Sequence, residues 1–175
     1  DLLHALGFMY ITETEPTSTH RLTLREKLHG MFPRQFPSRW LDRGTAVYND
    51  NRPYADSALW LVETLHQYIR ETGDSSILLE EVSTVRLNDM DHPEISGILG
   101  ADSRLKVIEV VEQVFASYSR HIHDSPYGLA QILFGDWCDP VDMFGTSIVG
   151  DSATRGHGRG AQVRLSAHLF LCLIH

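Results

Sequence analysis

The sequence predicts an all-α domain with long connecting loops and room for a short β-hairpin. Two observations predict it. Apolar residues recur at helical spacing over 54–72 and again over 100–122. A third apolar stretch runs from about Arg159 to the end, while only "STVRLND", 83–89, reads as a brief strand. Helix, long loop and helix with little strand is an all-α arrangement.

The elements follow in chain order. "TLREKLHGMF", 23–32, fits one short helix capped by Thr23 and stopped by Gly30. Most of 12–53 lacks a period and is rich in Pro, Arg, Thr and Asp. Its "FPRQFPSRWLDRG" interleaves Phe, Trp and Arg, as a packed, ligand-facing loop would. In "YADSALWLVETLHQYIRET", Ala58, Leu61, Leu65 and Tyr68 or Ile69 form a stripe, with Asp56 as cap and Gly73 as stop. "DSSILLEEV" begins a short helix capped by Asp74 or Ser75. "GADSRLKVIEVVEQVFASYSRHI" reads as a helix from a cap at Asp102 or Ser103, with Leu105, Ile108, Val111, Val114 or Phe115, and Tyr118 inward.

Composition narrows the function. With 175 residues the chain can bury a core of its own. Its 23 acidic against 15 basic side chains, net −8, argue against a nucleic-acid backbone as partner. Two cysteines, Cys138 and Cys172, make no disulfide framework, which points to a reduced, cytoplasmic setting. No run reaches the ~18 apolar residues of a membrane span, and "DLLHALGFMYI" is not a secretory signal. The chain starts and stops inside apolar segments, so 1–175 is expected to be one partial domain of a larger chain.

Four motifs are candidates for chemistry. In "FGDWCD", Asp136 and Asp139 flank Trp137 where an apolar run breaks at Gly135. A tryptophan supplies the dry wall that raises a carboxyl pKa, and it also stacks on a sugar ring. One aspartate then holds a proton while the other stays ionised; equally, Asp136 caps a turn, Trp137 is core and Asp139 opens a turn before Pro140. "YNDNRPYADSALW", 48–60, gathers Asp50, Arg52, Asp56 and Trp60, the group types that grip sugar hydroxyls, although Asp56 as a cap and Trp60 as core are also natural. "TRGHGRGAQVRL", 154–165, is a glycine-rich entry to a helix with Arg155 and Arg159 beside it, but has no Lys-Ser/Thr pair of a P-loop. "HIHDS", 121–125, puts His121 and His123 on one face for a metal if extended, with Asp124 nearby and no further ligand indicated by spacing. No metal or cofactor is expected.

Three of these segments, in order, resemble a known family. "ADSALWLVETLHQYIRETGDSSILLEEV" is similar to the "DD-x-LWL…YI-x-x-TGD-x-x-I/L" stretch of the inverting disaccharide phosphorylases. "DSPYGLAQILFGDWCD" resembles their "HGLPL…GDWND", and "GHGRGAQVRLSAHLFL" their "GKGESVWLGWFL". The family is glycoside hydrolase family 94, with cellobiose and chitobiose phosphorylases and cyclic β-1,2-glucan synthase. The resemblance implies part of an (α/α)6 barrel with a sugar site at one end. It implies Asp139 as general acid, Trp137 lining the site with Asp136 beside it, and Arg43, Asp50 or Asp56 binding sugar hydroxyls near Trp60. The chain departs from the family pattern at Cys138, Ser57, Ala161, Gln162 and Arg164.

An inverting hydrolase needs an acid and a separate base; an inverting phosphorylase needs the acid alone, because phosphate is already a nucleophile. One acid and no distant base lean toward phosphorolysis of a β-linked gluco-oligosaccharide, with inorganic phosphate as co-substrate. A hydrolase of the same architecture and an inactive carbohydrate-binding module are the alternatives. As a part of a barrel the chain is expected to leave an apolar edge open and to self-associate, with a homodimer as one form, or to be inactive alone.

Overall fold

The computed structural model describes residues 2–12, 22–34, 51–89, 97–133 and 160–175. Their elements are α1 (Leu2–Leu6), α2 (Leu24–Leu28), α3 (Ser57–Thr72), a 3-10 turn (Ser75–Leu79), β1 (Glu81–Leu87), β2 (Ile98–Lys106), α4 (Val107–Asp124) and α5 (Val163–Ile174). The domain is therefore mixed α/β, and the all-α expectation is wrong. β1 and β2 form an antiparallel pair running from Glu81 opposite Lys106 to Leu87 opposite Ile98. Tyr10 adds a parallel bridge to Val85, with Ile11 N–H on the Val85 carbonyl at 2.9 Å and Val85 N–H on that of Met9 at 3.0 Å.

The error has a local cause. Residues 100–106 carry cap-like Asp102 and Ser103 ahead of a strong helix, and read as its first turns. Instead they pair with β1, and α4 starts at Val107, where Lys106 N–H donates to the Glu109 carboxylate at 2.7 Å. Strand pairing with a distant partner overrides a local capping preference. The inward stripe of α4 is accordingly Val107, Val110, Val114, Ser117, Tyr118 and His121, while Ile108 is exposed.

Elsewhere local chemistry and structure agree. Thr23 caps α2 in a reciprocal box with Glu26. α3 buries Ala58, Leu61 and Leu65 as expected, and Gly73 ends it at φ 72°. Gly30 takes φ 82° where the chain turns back under Gln113 and Ser117 of α4. The core joins α1, α3, α4, α5 and the sheet through Leu6, Leu59, Val85, Val110 and Leu165, among others.

One polar cluster lies inside. Lys27 is 0% exposed and its ammonium sits 3.5 Å from Asp124, at the end of α4. Asp124 also accepts Leu22 N–H at 3.2 Å and the Gln131 amide at 2.8 Å. His121, fully buried, makes a 3.0 Å bond to the Lys27 carbonyl, which can only accept, so Nε2 carries the proton. Burial, then the neighbouring Lys27 charge, lowers the His121 pKa to about 3. Helical geometry turns His121 and His123 about 200° apart, so they do not share a face as the extended reading required. Among the described residues no three His, Cys, Asp or Glu side chains group as metal ligands, and no helix is long and apolar enough to cross a membrane.

Candidate functional site

Three chain segments meet at the head of α3. Tyr54, two residues ahead of Asp56, forms an antiparallel bridge with Leu133. Gln131 bridges Ala161, Ile132 N–H bonds to the Gly160 carbonyl at 2.9 Å, and Gln162 N–H to that of Ala130 at 3.4 Å. Thus 130–133, 160–162 and the start of α3 lie side by side. Leu133 holds φ 56°, a conformation a leucine adopts only at a cost of ~1–2 kcal/mol. Arg34 and Arg52 sit over the Tyr54 ring at 4.7 and 5.6 Å.

From this junction a polar line follows the contact between α3 and α5. Asp56 is buried, and no cap hydrogen bond joins its carboxylate to the helix. Oδ2 instead accepts the Trp60 indole N–H at 3.0 Å and lies 3.9 Å from the Arg164 guanidinium. One helical turn separates residues 56 and 60, which brings carboxylate and indole together. The Trp60 ring also meets His168, with ring centroids 4.6 Å apart at 60°. His168 Nε2 bonds to the Glu63 carboxylate at 2.9 Å. Arg164 and His168 are four apart on α5, and Asp56, Trp60 and Glu63 follow at three or four on α3, so two helix faces build the line.

Beneath it the site is dry. The Tyr118 hydroxyl bonds to the Ala55 carbonyl, and burial, then Asp56, pushes the phenol well up. Cys172 faces the Leu59 carbonyl at 3.7 Å, and burial, then Glu63, raises its thiol pKa to about 11, so it stays protonated.

Of the residues singled out from sequence, the structure brings Asp56 and Trp60 together. Trp60 is not core: it is 47% exposed, and Asp56 is the buried member of the pair. Arg43, Asp50, Asp136, Trp137 and Asp139 lie outside the described residues. Glu63 and His168 were not among the sequence candidates, and Arg164 stood there only as a departure from the family pattern. Their signal was present, since each lies one turn from another polar group on its helix, but nothing local told that α3 and α5 pack together.

Compared with known families, the chain matches no family model. A curated protein is nevertheless similar to it. Cellobionic acid phosphorylase of Neurospora crassa is 32% identical over 102 residues, 56% of this chain. The chain is similar to a phosphorylase. The matched stretch spans 10% of that relative's length, so the likeness is distant and local.

Proposed function

We propose that this chain is part of a carbohydrate phosphorylase-like enzyme acting on β-linked gluco-oligosaccharides. One observation carries the reading. The described flanks of all three segments on which the family resemblance rests converge at the head of α3, through the Tyr54–Leu133 and Gln131–Ala161 bridges. Segments far apart in sequence that share one substrate must meet in this way. The name of the curated relative, a phosphorylase, agrees with the resemblance in reaction class.

In this proposal Asp139 protonates the glycosidic oxygen as the bond to the anomeric carbon breaks. Inorganic phosphate attacks that carbon from the opposite face, giving a sugar 1-phosphate of inverted configuration and a free sugar. Trp137 lines the sugar site with Asp136, and Arg43 and Asp50, or Asp56, hold hydroxyls of the scissile ring. The test uses the full-length protein that carries this sequence, given β-1,2-, β-1,3- and β-1,4-linked glucose disaccharides with and without phosphate. Phosphate-dependent sugar 1-phosphate, lost in Asp139→Asn, is the expected result. Free sugar formed without phosphate replaces phosphorolysis by hydrolysis, and no turnover leaves a binding module.

A further inference from the structure

We infer that the exposed surface of Trp60 is a stacking subsite for a neutral β-linked glucose unit, with Glu63 at its polar rim and Asp56 and His168 as positioning residues. The inference deepens the carbohydrate reading above and rests on it.

The ring is held from two sides. Its N–H is fixed to buried Asp56 at 3.0 Å, and His168 packs against it at 4.6 Å while anchored to Glu63 at 2.9 Å. A surface tryptophan kept only for packing needs neither restraint. A tryptophan that is 47% exposed yet fixed at its N–H and braced by a second ring is pre-organised, so stacking a ligand on it costs little side-chain freedom.

The ligand class follows from the chemistry around the ring. β-Linked glucose carries its hydroxyls equatorially, leaving flat C–H faces that suit an aromatic surface with polar groups at its edge. The Glu63 side chain, 35% exposed, offers a carboxylate that accepts from hydroxyls, and His168, largely buried, holds that carboxylate in place. Arg164 lies 3.9 Å from Asp56, so the two charges offset each other beside the ring and favour a neutral ligand over an anion. Asp56, 5% exposed and committed to the indole N–H, acts on the stacked glucose unit through Trp60 rather than by touching it.

The full-length protein, grown on 5-fluorotryptophan, is titrated with cellobiose and longer cello-oligosaccharides in the absence of phosphate. Calorimetry reads affinity, and the fluorine resonance missing from Trp60→Phe reads this ring. Sugar should shift that resonance. Trp60→Ala should weaken binding about tenfold or more, Trp60→Phe less, because a phenyl ring still stacks. Asp56→Asn and Glu63→Gln should weaken it severalfold, and each should move the Trp60 resonance before sugar is added, which a merely structural role at a distance would not do. A circular-dichroism melt of each variant separates loss of binding from loss of fold. Binding without movement of the Trp60 resonance, unchanged affinity in a folded Trp60→Ala, or no binding at all overturns the subsite. If the resonance moves while no sugar 1-phosphate is ever formed, the subsite stands and the phosphorylase reading falls.

Discussion

Within the core, two side chains put stability at stake. Lys27 and Asp124 are an ion pair out of water, so removing one partner leaves a charge in a medium that solvates it poorly. Asp124→Asn should cost about 3–5 kcal/mol in urea unfolding. The Lys27→Met/Asp124→Asn double variant should lose clearly less than the two single losses added together, as a double-mutant cycle will show. His121 sets a pH dependence. Its folded pKa, about 3, lies below the ordinary value near 6.5, so the unfolded chain binds a proton that the folded chain refuses. The stabilisation is fully present above pH 6.5 and is lost as pH falls toward 3, by up to about 1.4 kcal/mol per pH unit. His121→Gln, whose amide can still donate to the Lys27 carbonyl, should flatten that part of the acid limb, measured as midpoint against pH. None of this cluster was legible in the sequence. The helical period reaches Ile122 in the sequence, and "HIHDS" offers metal-binding groups only if extended; nothing local reveals that the end of α4 meets Lys27 from ninety residues upstream.

Two glycines separate two costs at the element scale. Gly73 and Gly30 both have positive φ, but a Cβ at Gly73 meets nothing within 4 Å, whereas one at Gly30 falls 2.8 Å from the Gln113 carbonyl oxygen. Gly73→Ala should cost only the conformational ~1–2 kcal/mol, while Gly30→Ala adds a collision with backbone and should cost more. Thermal melts of both variants test the order. The sequence showed both helix ends, since capping and glycine stops act over a single turn. It showed α3 nearly whole for the same reason: Asp56 to Gly73 is one uninterrupted period. It missed β2, whose identity depends on β1 some twenty residues away, and the register shift at Ser83–Val85, where Thr84 turns to the Ser103 hydroxyl at 2.6 Å. The candidate site divides likewise: Asp56 and Trp60, one turn apart, were found, and the residues α5 contributes were not.

For the whole molecule, α5 is the informative part. Leu165, Leu169 and Cys172 face the core, while Val163, Phe170, Leu171 and Ile174 remain exposed, and residues 163–175 hold no carboxylate. A helix apolar on both sides is usually covered on both. The 175-residue chain should therefore associate as concentration rises, and Phe170→Glu with Ile174→Glu should shift it toward monomer in sedimentation velocity. The contact between Lys27 and Asp124 also sets a clock. A ribosome adding about 5–20 residues per second needs roughly 5–20 s to pass from one to the other. Throughout that interval the ammonium lacks the Asp124 carboxylate that shares its burial in the folded chain. α1 and α2 thus have reason to wait in solvent for α4, which makes early release or truncation before Asp124 more damaging than its distance from the candidate site would suggest.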